Sequence, residues 1–199
     1  MDAPDGRRTL VQRLLDGHAC SDDVERRAVY ETRALLREAS DPFGRGTLPG
    51  HVTASAIVLD ESREHLLVVW HAGLALWLQP GGHCEPDDAF PAITAVREVA
   101  EETDVRLTGD PAGAPLVHVD VHDIPARGGE PAHRHHDLRF AFLAPSRDSR
   151  PLAGGAASGW VRLDGLESLG VDGSLRTAVS HALRALEQPA GHREGDASN

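Results

Sequence analysis

The stretch QPGGHCEPDDAFPAITAVREVAEETDV, residues 79–105, joins a Gly-Gly corner to a helix that ends in Glu-x-x-Glu-Glu. At 100° per residue, Glu98, Glu101 and Glu102 fall within about 100° of arc on one side of that helix. The opposite side is apolar and is the predicted core face; its members are Ala92, Ile93, Val96 and Ala100. The run therefore predicts an amphipathic helix with a cluster of carboxylates directly after a tight corner.

The carboxylate cluster has two interpretations. Glutamates three and four positions apart repel one another, and Arg97 is the one cation of this helix within their reach. A charged, solvated helix face is the ordinary explanation of such a pattern. The corner at Gly81–Gly82 favours the other explanation, because it can turn a backbone carbonyl inward beside the carboxylates. Carboxylates with one carbonyl are the ligands that Mg²⁺ or Mn²⁺ prefers.

The same run resembles the Nudix box, G-x5-E-x7-R-E-U-x-E-E-x-G-U, in which U is a bulky apolar residue. Gly82 matches the first Gly, the run 97–102 (REVAEE) matches R-E-U-x-E-E without a gap, and Val105 matches the last U. The run departs from the pattern at two positions and in one spacing. Asp88 replaces the first Glu, nine positions instead of eight separate it from Arg97, and Asp104 replaces a Gly. We expect Asp88 to be the N-cap of the helix and Asp104 to adopt the left-handed conformation at its end.

The resemblance implies a fold and a reaction. Nudix hydrolases are α/β/α sandwiches with a mixed β-sheet, and they use Mg²⁺ or Mn²⁺ to cleave the pyrophosphate link of nucleoside diphosphate derivatives. By this resemblance Glu98, Glu101, Glu102 and the Gly82 backbone carbonyl hold the metal. Arg97, which positions the glutamates, joins Glu101 and Glu102 as catalytic residues, and the general base is left open.

The alternative function is a non-catalytic Nudix-like module that binds a nucleotide and regulates another activity. The intact run REVAEE, residues 97–102, argues against it, since such a module does not need three mutually repelling glutamates.

The segments around this run predict an α/β chain in three parts. An N-terminal helical segment, residues 1–46, contains two helices, the second capped by Ser21, and could serve in dimerisation or partner binding. Residues 47–188 form the Nudix domain, in which HVTASAIVLD and EHLLVVWH are predicted to form a hairpin and GSLRTAVSHALRALEQ a last helix. Residues 189–199 are predicted to be a disordered tail.

A late strand, HDLRFAF, is the candidate substrate-binding element outside the box. Strand alternation places Asp137 and Arg139 on one face and the apolar residues on the other. We expect Arg139 to contact phosphate, with Asp137 beside it; a solvated strand end is the alternative. The adjacent His133, His135 and His136 are a weak indication of a zinc site, because no Cys or carboxylate stands at matching spacing.

Composition limits the partners. The formal net charge of −11 argues against binding of nucleic acid or of an anionic membrane, so a small nucleotide-type molecule is the expected partner. No window is long and apolar enough for a membrane span, and the N-terminus lacks the apolar core of a signal peptide. Cys20 and Cys84 do not form a disulfide framework. We therefore expect a cytoplasmic protein, for which a homodimer is one compatible state.

Overall fold

The computed structural model describes residues 6–147 and 157–187. Its helices are α1 (Gly6–Gly17), α2 (Asp23–Glu38), α3 (Pro91–Thr103) and α4 (Gly173–Glu187), with short 3₁₀ turns at Pro111–Gly113 and Leu163–Leu169. Its strands are β1 (Gly50–Asp60), β2 (His65–His71), β3 (Leu76–Leu78), β4 (Gly81–His83), β5 (Leu116–Ile124), β6 (His133–Ala144) and β7 (Ser158–Arg162). Among the described residues, no helix is long and apolar enough to cross a membrane.

The strands form one mixed sheet in the order β3-β2-β1-β6-β5, with β4 paired to β1 and β7 paired to β2. The predicted hairpin is present, because β1 and β2 pair antiparallel. β1 and β6 pair in parallel along their whole length, from Gly50 opposite Arg134 to Asp60 opposite Ala144. The remaining pairs are antiparallel. The predicted α/β class with a mixed sheet and an N-terminal helical segment is confirmed.

Each face of the sheet is covered by helices. The even-numbered residues of β1, such as Val52 and Ala54, pack in one core cluster with α1, α2 and α3. The later odd-numbered residues of β1, Ile57 and Leu59, pack in a second cluster with α4. The earlier odd-numbered positions of β1 are polar. Near the start of β1, the face of the sheet that points away from α3 is therefore polar.

The two N-terminal helices share their core with the sheet. Val11, Leu15 and Leu36 are each no more than 1% exposed and belong to the cluster beneath α3. The boundary at residue 46 stays a prediction, as does the disordered tail, whose residues 189–199 lie outside the described part of the chain.

The N-cap of α2 is Asp22, so the prediction of Ser21 is wrong by one residue. The Asp22 carboxylate accepts a hydrogen bond from the Glu25 N–H, which satisfies a donor of the first turn. The Ser21 hydroxyl instead donates to the Glu25 carboxylate.

Candidate active site

The Gly-Gly corner lies directly against the carboxylate side of α3. β4 pairs with the middle of β1, where Gly82 faces Ala54 and Gly81 faces Ser55. A Cβ at residue 82 would collide with the carboxylate of Glu98, so only glycine lets the two come this close. The Gly81 N–H donates to Glu102 Oε2 at 3.0 Å. The structure therefore brings Gly82, Glu98 and Glu102 together.

Arg97 holds the acidic residues around it. Its guanidinium lies 2.9 Å from Glu98 Oε1, 3.2 Å from Glu101 Oε2 and 3.1 Å from Asp88 Oδ2. It also donates to the His83 carbonyl oxygen at 2.8 Å. One planar, permanently charged group thus connects α3 to the loop before it and to β4. This arrangement agrees with the expected positioning role of Arg97.

The three glutamates differ in burial. The Glu101 side chain is 57% exposed, whereas that of Glu98 is 15% exposed and Glu102 is partly buried. Burial raises the pKa of Glu98, although Arg97 opposes the shift. Burial and the charges of Glu98 and Glu101 raise the pKa of Glu102 to about 7, against the Gly81 hydrogen bond. A solvated helix face does not describe Glu98 and Glu102.

The donor set fits a hard divalent cation. Glu102 takes part in no salt bridge among the described residues, because Arg97 reaches Glu98 and Glu101 instead. Two partly buried carboxylates beside a glycine backbone are short of positive charge, and a cation bound by oxygen ligands would supply it. The predicted metal ligands Glu98, Glu102 and Gly82 are neighbours, and Glu101 lies at the exposed edge of the group.

Asp88 does not cap α3, contrary to prediction. The N-cap position is Phe90, without a side-chain hydrogen bond, and Pro91 begins the helix. Asp88 Oδ2 instead accepts from the Glu85 N–H, the Thr94 hydroxyl and Arg97. Burial alone would raise the pKa of Asp88, but these hydrogen bonds outweigh it and lower the pKa. Asp88 therefore lies in the loop before the helix, bonded to Arg97, and not at the helix cap.

The other end of α3 agrees with the prediction. Asp104 has φ 59° and ψ 6°, in the left-handed region, and its N–H donates to the Ala100 carbonyl oxygen. An aspartate thus takes the position that the Nudix pattern gives to glycine, with its ordinary geometry at a helix end.

The predicted core face of α3 is wrong, because the buried face of the helix is rotated about the helix axis from the predicted one. Ala92, Ala95 and Val99 are fully buried, whereas Ile93 is 37% exposed. The helix is rolled so that small side chains face β1 and the glutamates at the border of this face reach the Gly-Gly corner. Hydrophobicity alone could not show this roll, because Ile93 and Val96 are more apolar than Ala95.

Asp137 and Arg139 lie on the polar face of the sheet, and both are buried. Arg139 Nε donates to Asp137 at 3.0 Å, while its other nitrogens donate to Ser174 Oγ at 2.9 Å and Asp120 Oδ2 at 3.1 Å. The hydroxyl of Ser55 donates to Asp137. The predicted pair is therefore the centre of a hydrogen-bonded network that links β1, β5, β6 and α4.

Beside this network, imidazole rings from four strands come together. His51, His83, His122, His133 and His135 form the cluster, in which the centroid distances of contacting rings are 4.9–5.6 Å. Burial, followed by the neighbouring imidazoles, lowers the pKa of His135 to about 3. His136 points to the opposite face, where its Nδ1 lies 3.0 Å from the Thr32 hydroxyl. Of the three histidines that weakly indicated a zinc site, His133 and His135 therefore lie in the cluster and His136 does not.

Sequence reasoning missed His51 and His83 as members of this cluster. Alternation along β1 puts His51 in phase with Thr53 and Ser55, which is a usable signal for a polar face. What the sequence does not contain is the parallel pairing that sets His51 opposite His135.

Comparisons with known proteins agree with this architecture. A family model described as a NUDIX domain matches residues 49–180, more than half of the chain and a range that includes the Gly-Gly corner and α3. No curated protein sequence matches the chain.

Several solved structures are similar to this chain. A NUDIX family hydrolase from Clostridium perfringens has 20% identity over 69% of this chain and 96% of its own, with a TM-score of 0.46. A MutT NUDIX hydrolase from Burkholderia pseudomallei has 23% identity over 66% and 97%, with a TM-score of 0.48. The NUDIX domain of Shewanella oneidensis NrtR, complexed with ADP ribose, has 16% identity over 68% and 87%, with a TM-score of 0.49.

Proposed function

Because the chain belongs to the NUDIX domain family, a family of hydrolases that act on phosphoric anhydride bonds, we propose that it cleaves the pyrophosphate link of a nucleoside diphosphate derivative. The reaction depends on Mg²⁺ or Mn²⁺ held by Glu98, Glu101 and Glu102 with the Gly82 carbonyl. Such a cation, when bound, offsets phosphate charge and activates a water. The expected substrate is a small nucleotide-type molecule in the cytoplasm.

One observation carries this proposal. Glu102 is partly buried beside Glu98 and a glycine backbone, and among the described residues no cation pairs with it. Arg97 restrains Glu98 and Glu101 by ion pairs, which keeps their carboxylates close despite their mutual repulsion. Such an arrangement is costly for an unliganded helix face and useful for a cation site.

We also propose that Asp137 and Arg139 bind the substrate, because they lie at the centre of the polar face of the sheet. Arg139 already donates to Asp137, Asp120 and Ser174, so contact with a phosphate requires it to exchange one of these partners. An Arg139→Lys variant tests this role. Loss of the planar guanidinium group should raise KM more than it lowers kcat if Arg139 contacts substrate.

The deciding experiment is hydrolysis of a panel of nucleoside diphosphate derivatives with Mg²⁺ or Mn²⁺, followed by analysis of the products. Glu101→Gln and Glu102→Gln should each lower kcat by at least about 100-fold on any substrate that the wild type cleaves. Glu38→Gln, an exposed residue of α2, is the matched control and should keep full activity.

The panel also separates the enzyme from the alternative function. If wild type and Glu101→Gln are equally inert on every substrate while a nucleotide still binds, the proposal fails and the regulatory binding module takes its place.

A further inference from the structure

The histidine cluster lies apart from the glutamates of α3 and has the ligand chemistry of a metal site of its own. We propose that His51, His133 and His135 bind one divalent transition-metal ion, Zn²⁺ in particular. A ligand atom of each of these residues lies within 4.8 Å of the other two. The three residues come from the beginnings of β1 and β6, where the parallel pairing sets His51 opposite His135.

The Nδ1 atoms of two of these rings are engaged by the backbone. His133 Nδ1 lies 2.9 Å from the Pro131 carbonyl oxygen, and His51 Nδ1 lies 3.5 Å from the Thr47 carbonyl oxygen. Since a carbonyl only accepts, each Nδ1 carries the proton and each Nε2 is left as a lone-pair donor. This second-layer hydrogen bond is the usual device that orients a histidine ligand toward a metal.

One ring nitrogen of His51 is buried without a hydrogen-bond partner among the described residues. The His51 side chain is fully buried, and the nitrogen concerned is its Nε2. A buried nitrogen without a partner costs free energy, so native proteins rarely keep one. A metal ion among the three rings would satisfy this nitrogen.

One distance in the cluster matches a tetrahedral ion, and the three ligand atoms, which lie within 4.8 Å of one another, would close further around it. With Zn–N bonds of about 2.0–2.1 Å, two nitrogens in a tetrahedral site are ~3.3 Å apart. The Nε2 atoms of His133 and His135 are 3.3 Å apart. A hydrogen bond between these two rings would explain that one distance but would leave His51 Nε2 unsatisfied. The metal accounts for both observations.

The electrostatic surroundings also favour a cation bound by neutral rings. Burial lowers the pKa of His51, and it lowers the pKa of His135 to about 3, so these imidazoles are neutral ligands at physiological pH. Arg45, whose charge acts on His51, is paired with Glu130 at 2.9 Å. Imidazole nitrogens select Zn²⁺ over Mg²⁺, whereas the glutamates of α3 have the opposite preference. The two sites therefore differ in the ion that each takes.

Bound Zn²⁺ would join β1 to β6 at the end of the sheet that carries the Gly-Gly corner. His83, one residue after Gly82, packs its ring against His51 and His135 at centroid distances of 5.1 and 4.9 Å. The site thus stabilises the strand pairing on which β4 rests. We expect the bound ion to have a structural role and to raise the thermal stability of the protein.

The test uses the full chain without an added histidine tag, stripped with EDTA and dialysed into excess Mg²⁺ so that the carboxylate site is satisfied. Titration with Co²⁺ should give the visible absorption bands of a tetrahedral nitrogen site at one equivalent per chain, and Zn²⁺ should displace them. His133→Ala/His135→Ala should weaken binding by at least about 100-fold. Zn²⁺ should raise the Tm of the wild type and leave that of the double variant unchanged.

Two controls separate this site from others. His71→Ala replaces an exposed histidine outside the cluster, and Glu102→Gln alters the carboxylate site; both should keep the Co²⁺ bands. Far-UV circular dichroism in EDTA establishes that each variant is folded. The proposal is overturned if the wild type gives no tetrahedral bands, if the folded double variant keeps them, or if Glu102→Gln removes them.

Discussion

At the scale of single residues, Glu98 and Glu102 lie on the same side of α3, but only Glu98 has an arginine beside it. Among the described residues, Glu102 accepts one hydrogen bond, from the Gly81 N–H, and its pKa rises to about 7 from an ordinary value of 4.5. Gly82 is the other decisive residue, because it leaves the space that the Glu98 carboxylate occupies. Each residue leads to a prediction.

Glu102→Gln should change how stability depends on pH in the metal-free protein. The folded pKa of Glu102 lies above the unfolded value, so between pH 4.5 and 7 the folded state binds more protons, and its stability falls as the pH rises through this window. The variant removes this loss. We expect the free energy of unfolding of the variant to exceed that of the wild type by about 1–2 kcal/mol at pH 8 and to equal it at pH 4.5. This range allows for solvent screening of a partly exposed group.

Urea unfolding in EDTA at both pH values measures this difference. Glu38→Gln is the control for an exposed helical glutamate and should follow the wild type. If the free energy of unfolding of Glu102→Gln changes between the two pH values as much as that of the wild type, the assigned burial of this carboxyl is wrong.

Gly82→Ala should displace the Glu98 carboxylate, because the new methyl group occupies its position. The φ of Gly82 is not positive, so an alanine backbone is tolerated there and the effect comes from the collision. We expect kcat/KM to fall by roughly 10- to 100-fold, whereas the free energy of unfolding should change by less than about 1 kcal/mol, because the Glu98 carboxylate is the end of a flexible side chain and can move aside. The measurements are steady-state kinetics and urea unfolding.

Gly46→Ala is the matched control, since nothing lies within 4 Å of a Cβ at that position. An unchanged kcat/KM in Gly82→Ala would show that the contact between Gly82 and Glu98 has no part in the reaction.

At the scale of secondary-structure elements, α2 is fixed to the edge of the sheet by one buried carboxylate. Glu25 accepts from His18 at 2.7 Å, from the Ser21 N–H at 2.7 Å and from the Val119 N–H of β5 at 3.1 Å. Burial alone would raise the pKa of Glu25, but these hydrogen bonds lower it to about 2. The helix is thereby placed on β5 by polar contacts as well as by its apolar face.

Glu25→Gln should destabilise the protein by about 2–3 kcal/mol at neutral pH, because the ionised acceptor of several donors is lost. The folded pKa of about 2 lies below the ordinary value of 4.5. The contribution of Glu25 is therefore complete above pH 4.5 and is lost as the pH falls from 4.5 to 2. Urea unfolding at pH 7 and pH 3 should show a smaller difference between variant and wild type at the lower pH.

Glu38→Gln, on the exposed side of the same helix, should change stability by less than about 0.5 kcal/mol at both pH values. An equally small effect of Glu25→Gln would mean that this carboxylate does not hold α2 in place.

At the scale of the whole molecule, the N-terminal helices and the sheet form one core. Leu36 of α2 and Val11 of α1 are fully buried in the cluster that also contains Val52 and Val99. The family match begins at residue 49, after both helices. A partner-binding role for these helices would therefore have to use their outer surface, since their inner surface covers the sheet.

Leu36→Ala should destabilise the whole protein by about 2–5 kcal/mol in a single cooperative transition, because the cavity opens in a shared core. Leu10→Ala, at a position 44% exposed on α1, should cost less than about 1 kcal/mol. Unfolding followed by circular dichroism and by tryptophan fluorescence measures both. If Leu36→Ala melts the helices separately while the sheet remains folded, the two parts are independent units.

Much of this architecture follows from local patterns. The strands, the last helix and the left-handed end of α3 at Asp104 were predictable, because alternation, helical periodicity and end geometry depend on neighbouring residues. The position of Asp88 was not predictable, since its bond to Arg97 depends on how the loop before α3 folds back on the helix. The roll of α3 was hidden as well, because it depends on what the helix packs against.

The sequence by itself determined the Gly-Gly corner, the spacing of the three glutamates and the family to which they point, since all of these lie within one continuous run. Only the tertiary structure decided that Glu102 is partly buried with no salt bridge among the described residues, that Arg139 is enclosed by acidic and hydroxyl partners, and that His51 meets His133 and His135. The physical reason is that each arrangement depends on contacts between separate elements, which leave no periodicity in the sequence: β1 against β6 for the histidines, β5 against β6 for Arg139, and α3 against β4 for Glu102.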